Sequence, residues 1–188
     1  MRQKTKTMVG VGLLTAIVVV LQAMAVGIRF GVFNISLVLV PIVVGAALYG
    51  YKAGAWLGFV FSIVVLFTDA GPFLAVSVPG TIITVVLKGT LAGLAAGLVY
   101  KLMEKINRYV AVLAAAIVCP IVNTGIFLLG CLVFFLETIN GWGVAAGFDN
   151  VGAYLIFGMV GVNFLIEMGV NIVLSSVIVR LIRIGKND

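Results

Sequence analysis

The chain has 188 residues, of which 63% are hydrophobic and only 10% are charged, whereas a soluble domain has roughly 25% charged residues. This composition excludes a soluble protein and predicts an all-α bundle embedded in a lipid bilayer. The sequence contains no histidine, which excludes Ser-His catalysis and histidine-bound metal ions. We therefore expect one integral-membrane domain over residues 1–188 that is not an enzyme and has neither a cofactor nor a metal.

Six apolar segments are long enough, or nearly so, to cross the roughly 30 Å hydrocarbon core as helices. They cover residues 8–28, 35–49, 53–68, 79–100, 109–136 and 151–182. Only Gly50, Tyr51 and Lys52 separate the second segment from the third, so these two must form a helical hairpin. Pro41 is expected to kink the second. The sequence thus predicts a polytopic membrane protein with six transmembrane helices.

The basic residues predict the orientation of these helices. Ten of the twelve lysines and arginines fall on one side of the six segments: Arg2, Lys4, Lys6, Lys52, Lys101, Lys105, Arg108, Arg180, Arg183 and Lys186. Because short cytoplasmic loops are enriched in basic residues, we predict that both termini are cytoplasmic and that the protein lies in the cell membrane. The net charge of +6 therefore reflects membrane orientation and not a nucleic-acid partner.

Small residues recur at four-residue spacing in the predicted spans. Two glycine series have this spacing: Gly50, Gly54 and Gly58, and Gly89, Gly93 and Gly97. Such residues let helix backbones approach closely in a membrane, and packing within the bundle is the plainer interpretation of both series. Gly12 and Ala16 form a similar face on the first span, which could instead receive a helix of a partner protein.

Two charged residues fall inside predicted spans, where a charge is costly and marks a candidate functional site. Lys88 and Glu167 each lie thirteen residues from the nearest inner basic residue, which places both about 20 Å from the inner boundary. Asn123 reaches nearly the same depth. Asn163 and Asn171 flank Glu167 at four-residue spacing and share its helical face. These residues predict a pocket between the fourth, fifth and sixth spans, open to the outer side.

A purely structural role for these residues is the alternative. Lys88 and Glu167 would then neutralise each other, and the asparagines would crosslink helices. Binding of a small solute with several hydrogen-bonding groups explains the whole polar face. An ion pair that only holds helices together does not need so many polar residues. The outer segments 69–78 and 137–150 contain aromatic residues, among them Trp142, and are either lids over the pocket or plain connectors.

The chain resembles, over essentially its full length, the substrate-binding S components of energy-coupling factor (ECF) vitamin transporters. The residues that carry this resemblance are Gly12 and Ala16, the stretch Phe33-Asn34-Ile35-Ser36-Leu37 leading to Pro41, and Gly45, Gly50, Gly54 and Gly58. Tyr51 departs from the proline expected in most relatives. No phosphate-binding loop for nucleotide hydrolysis is present in the sequence, so active uptake needs an ion gradient or partner subunits.

Three stretches are most similar to the pantothenate-specific branch of that family: residues 30–58, residues 78–82 and residues 119–125. The resemblance implies a vitamin-binding subunit that docks on a membrane coupling (T) subunit through Gly12 and Ala16. It also implies two cytoplasmic ATPases that drive reorientation of the subunit, and a loop from Arg29 to Asn34 that helps to gate an outward-facing pocket.

The binding of pantothenate assigns a role to each polar group of the predicted pocket. Lys88 would hold the carboxylate, with Arg29 as a second candidate, while the amides and Glu167 take the hydroxyl and amide groups. The predicted substrate-binding residues are Lys88, Asn123, Asn163, Glu167, Asn171, Trp142, Arg29 and Asn34. Another vitamin or precursor with one acidic and several polar groups fits equally well. The main rival function is a stand-alone carrier driven by protons or sodium through Glu167, although the inverted repeats typical of such carriers are not visible.

Overall fold

The computed structural model describes residues 2–25, 29–30, 33–34 and 37–187 of the chain. These residues are helical except for connections and one antiparallel pair of two-residue strands, in which Arg29 pairs with Asn34 and Phe30 with Phe33. In chain order the elements are α1 Arg2–Ala25, β1 Arg29–Phe30, β2 Phe33–Asn34, α2 Leu39–Tyr49, α3 Tyr51–Thr68, α4 Gly71–Leu74, α5 Val78–Met103, α6 Arg108–Phe134, α7 Leu136–Ala145, α8 Val151–Ala153, a π-helix Tyr154–Val160 and α9 Gly161–Asn187. The predicted all-helical class is confirmed.

Four helices of the described chain are long and apolar enough to cross a membrane, namely α1 from Lys4 onward, α3, α5 and α6. The segments Val151–Val160 and Asn163–Ser175 give a fifth candidate if they are one span bent by 45°. The 11 residues of α2 reach only about 17 Å at 1.5 Å per residue. The multi-pass membrane prediction is confirmed, and the candidate spans number four, or five with the bent pair, against the six predicted.

A helical hairpin joins α2 to α3 as the sequence predicts. Gly50 alone links the two helices, and its φ of 89° lies in the left-handed region that favours glycine. Pro41 lies in the first turn of α2, where a backbone N–H has no helical acceptor. A proline at this position removes no helical hydrogen bond, so it gives no reason for the predicted kink. The proline that lies inside a helix is Pro120, in α6.

Helices α3 and α5 pack backbone against backbone through the glycine series. A Cβ atom added at Gly54 or Gly93 would collide with the backbone of the other residue, and Gly58 and Gly89 are related in the same way. The packing interpretation is therefore confirmed for these four glycines. Gly12 on α1 differs, because nothing lies within 4 Å of the position of its missing Cβ.

Side-chain caps fix the starts of α5 and α6. The Ser77 hydroxyl accepts a hydrogen bond from the Gly80 N–H at 3.3 Å, and the Asn107 side chain accepts one from the Tyr109 N–H at 2.8 Å. Each cap satisfies a backbone donor that has no partner in the first helical turn. Buried apolar residues of α2, α3, α5 and α6 form the main core, which holds these helices in register around the site described next.

Candidate functional site

A cavity of about 620 Å³ lies among α3, α5, α6 and α9. Its volume falls within the roughly 300–1,000 Å³ typical of small-molecule sites. A pocket is therefore present where the sequence predicts one between the fourth, fifth and sixth spans. The structure adds a wall from α3, together with Gln22 of α1 and residues of the connection between α3 and α5.

The structure brings five of the eight predicted substrate-binding residues to this cavity, namely Lys88, Asn123, Trp142, Asn163 and Glu167. Asn171 is buried outside the cavity lining, and its Nδ2 donates to the backbone oxygen of Glu167 at 3.0 Å. Such a bond to the preceding helical turn is local, so Asn171 stands apart from the other five. The side chains of Arg29 and Asn34 lie outside the described residues.

The ammonium group of Lys88 lies between two aromatic rings of the cavity wall. Its Nζ is 5.2 Å from the centre of the Phe127 ring and 5.8 Å from that of Phe61, which is within the range of a cation–π interaction. Within the described chain Lys88 has no carboxylate in hydrogen-bonding contact. The carboxylic residues Glu167 and Asp69 line the same cavity. The lysine thus presents a cation to the cavity.

Asp69 and Gln22 form a second polar group of the cavity, which sequence reasoning missed. Gln22 is 2% exposed, and its Nε2 donates to Asp69 Oδ2 at 2.6 Å. The Thr68 hydroxyl donates to the same oxygen at 3.0 Å. Asp69 belongs to the outer segment 69–78, which the sequence predicts to be a lid or a plain connector, and it is not among the predicted substrate-binding residues. A glutamine within the otherwise apolar first span was the available signal, because a polar side chain there needs a partner inside the protein.

An aromatic cluster forms the side of the cavity next to the outer connections. The Phe73 ring of α4 packs edge-on against Phe127 at 5.6 Å, Phe135 at 5.1 Å and Trp142 at 5.6 Å between ring centres. Residues 69–73 and Trp142 all line the cavity. Both outer segments therefore form part of the cavity wall, which favours the lid interpretation over plain connectors.

Two polar atoms beside the cavity are buried and have no hydrogen-bond partner among the described residues. They are Asn123 Oδ1 and Thr84 Oγ1, and their residues are 8% and 4% exposed. Buried polar groups are otherwise almost always paired, so these atoms are candidates for contact with a bound solute. Sequence reasoning missed Thr84, although its spacing of four residues from Lys88 places both on one face of α5.

The π-helix also contributes to the cavity, through Tyr154, Met159 and Val160. Segments of π-helix are rare and are frequently found at functional sites. No residue pattern in the sequence predicted this one, because the last span reads as a continuous apolar helix. The segment ends just before Asn163 and Glu167, so it helps to set which way their side chains face.

The chemistry of the cavity is that of a binding site. It combines one cation, two carboxylates, amides and hydroxyls with an apolar wall that is rich in aromatic rings. The described residues include no group of three or more histidine, cysteine or acidic side chains that could hold a metal ion. The arrangement suits a small solute that has both an anionic group and hydrogen-bonding groups.

A family model described as ECF transporter, substrate-specific component, matches residues 6–179. This range includes every residue that lines the cavity. No match was found among curated proteins or among solved structures.

Proposed function

The chain belongs to the substrate-specific components of ECF transporters, and from that premise we propose that it is a high-affinity pantothenate-binding subunit. The family consists of transport subunits that bind a small molecule and work with a T subunit and ATPase subunits. The observation that carries the choice of solute is the Lys88 ammonium, which faces the cavity between two aromatic rings without a close carboxylate in the described chain.

Each part of pantothenate has a counterpart in the cavity. Its carboxylate pairs with Lys88, and its two hydroxyls and amide N–H are hydrogen-bond donors for the oxygens of Asn123, Asn163 and Glu167. Its geminal methyl groups suit the aromatic wall, and Trp142 covers the bound molecule. Charge-assisted hydrogen bonds of this kind are stronger than neutral ones, so Lys88 is expected to contribute most to affinity. Arg29 and Asn34 are proposed to gate the pocket.

Transport requires partners, and the exposed face of α1 is proposed to receive the T subunit. Gly12 and Ala16 are exposed in the described structure, and the position of Gly12 has open space around it. Two cytoplasmic ATPases would then drive reorientation of the subunit in the cell membrane. The proposal includes six spans, with α2 as a short one, and cytoplasmic termini. The positions of ten of the twelve basic residues support this orientation.

The experiment is to purify the chain alone and identify by mass spectrometry the small molecules that it retains. Pantothenate binding is then measured by calorimetry, and uptake is measured in proteoliposomes with and without the T and ATPase subunits. We expect bound pantothenate, one site per chain, and accumulation only with the partners and ATP. A different retained vitamin would overturn the choice of solute. Ion-driven accumulation by the isolated chain would overturn the subunit function and favour a secondary carrier acting through Glu167.

A further inference from the structure

The hydroxyl of Thr84 lacks the usual hydrogen bond of a helical hydroxyl, as does that of Thr90. Three serine or threonine hydroxyls donate to the backbone oxygen four residues earlier: Thr15 to Val11, Ser62 to Gly58 and Thr81 to Ser77, all at 2.7–3.0 Å. This local bond is the usual way in which a hydroxyl is satisfied inside a helix. Thr84 Oγ1 makes no such bond and has no other partner in the described chain.

An unpaired hydroxyl at this position destabilises the protein without its solute. Thr84 is 4% exposed, so water does not replace the missing partner, and burial of an unpaired hydroxyl is unfavourable. A valine has nearly the same shape and would fill the same space without that cost. Thr84 lines the cavity and the similarly unpaired Thr90 does not, so at Thr84 a bound solute can supply the partner that the chain itself does not provide.

The position of Thr84 indicates what that partner is. Thr84 and Lys88 both line the cavity and lie one turn apart on α5. Side chains of a helix lean towards its N-terminus, so the lysine leans over the turn that carries Thr84. A solute carboxylate that binds the Lys88 ammonium group would therefore lie close to the Thr84 hydroxyl.

Gly130 of α6 lets the Thr84 side chain pack directly against the α6 backbone. A Cβ atom at Gly130 would collide with both branches of the threonine side chain, Oγ1 and Cγ2. The hydroxyl therefore lies at the α5–α6 interface, at the edge of the cavity that Thr84 lines. A change of its χ1 rotamer is the motion by which it would face a solute.

We propose that Thr84 binds the solute directly, with its hydroxyl donating to the same carboxylate that the Lys88 ammonium holds. The proposal rests on the proposed function, since it assumes a monocarboxylate solute in this cavity. It assigns Thr84 as a residue that selects for a carboxylate over a neutral group at this end of the solute.

The test compares pantothenate with panthenol, its neutral analogue in which a hydroxymethyl group replaces the carboxylate. Dissociation constants are measured for the wild-type chain, Thr84→Val, Thr84→Ser and Thr90→Val. Thr90 is the matched control: it is on the same helix, its hydroxyl is also buried and without a partner in the described chain, and it does not line the cavity. The melting temperature of each solute-free variant is recorded as well.

We expect Thr84→Val to raise the Kd for pantothenate about tenfold to a hundredfold, the usual effect of losing a hydrogen bond to a charged group. The Kd for panthenol should change less than twofold, and Thr84→Ser and Thr90→Val should bind pantothenate as the wild type does. Equal losses for both compounds, or no loss for either, would overturn the proposal.

Failure of the proposed function gives a different result. If the wild-type chain binds neither compound, the proposed solute is wrong, and the melting temperatures decide the role of Thr84. A higher melting temperature for solute-free Thr84→Val supports a hydroxyl kept for a solute. A lower one shows that the hydroxyl stabilises the fold, which overturns the inference.

Discussion

Replacement of Lys88 by methionine separates solute binding from a structural ion pair. Loss of an interaction between charged groups costs about 1.5–3 kcal/mol, so the Kd for pantothenate should rise about tenfold to a hundredfold. Methionine has a similar length and keeps a favourable sulfur contact with the Phe61 and Phe127 rings. It also removes a charge from the membrane interior. The free energy of unfolding should therefore stay within about 1 kcal/mol of wild type or increase.

The binding assay uses tryptophan fluorescence. The chain has two tryptophans: Trp142 lines the cavity, and Trp56 is 51% exposed away from it. Trp56→Phe leaves Trp142 as the only tryptophan, so a pantothenate titration reports on the cavity alone. Lys101→Met is the control, because Lys101 Nζ lies 5.6 Å from the Tyr51 ring and does not line the cavity.

The structural ion pair makes the opposite prediction. Removal of one partner of a buried pair typically costs about 3–5 kcal/mol, while the affinity for a solute bound elsewhere stays the same. A Lys88→Met protein that melts far below wild type and binds pantothenate with unchanged affinity would refute the role that we give to Lys88.

Three further substitutions test the packing, the partner face and the Asp69 contact. Gly93→Ala places a Cβ against the Gly54 backbone and should lower the free energy of unfolding by about 1–3 kcal/mol, measured by thermal unfolding. Gly125→Ala is the control, because the position of the added Cβ has open space around it. Equal melting temperatures for the two variants would contradict the close packing of α3 against α5. Gly12→Leu should leave pantothenate affinity unchanged and lower ATP-driven uptake by the full transporter, and normal uptake would place the partner face elsewhere. Gln22→Leu removes a donor to the Asp69 carboxylate and should cost about 1.5–3 kcal/mol of stability; an unchanged melting temperature would show that this hydrogen bond contributes little.

Sequence spacing correctly predicted that several polar groups from different helices come together. Lys88, Asn123 and Glu167 line one cavity because helical rise converts residue number into depth, and charges are excluded from lipid. The α3–α5 glycine contact followed from the four-residue spacing in the same way. In regular helices the residue spacing fixes which side chains share a face and a level, so these contacts can be predicted by counting residues along the sequence.

The parts that were missed depend on irregular backbone or on tertiary packing. Asp69 belongs to a connection whose aromatic residues left both a lid and a plain connector open, and only the folded chain shows that its carboxylate lines the cavity. Helix α2 begins at Leu39, which places Pro41 in its first turn, and this start depends on the preceding turn and not on composition. The missing partner of Thr84 is visible only once the neighbouring helices are in place, because a helical threonine is otherwise expected to bond to its own backbone.

The π-helix at Tyr154–Val160 lets the last span tolerate a change of length at one place. A π-turn holds one residue more than an α-turn, so deletion of a single residue there would let the span continue as an ordinary α-helix with nearly the same faces before and after it. In the regular helix that follows, each residue turns the chain by about 100°. A deletion between Gly161 and Asn163 would therefore swing Asn163 or Glu167 to another face without any change in their identity. Among relatives of this protein, a one-residue gap within the π-helix should keep the solute, whereas a one-residue gap just after it should change the solute.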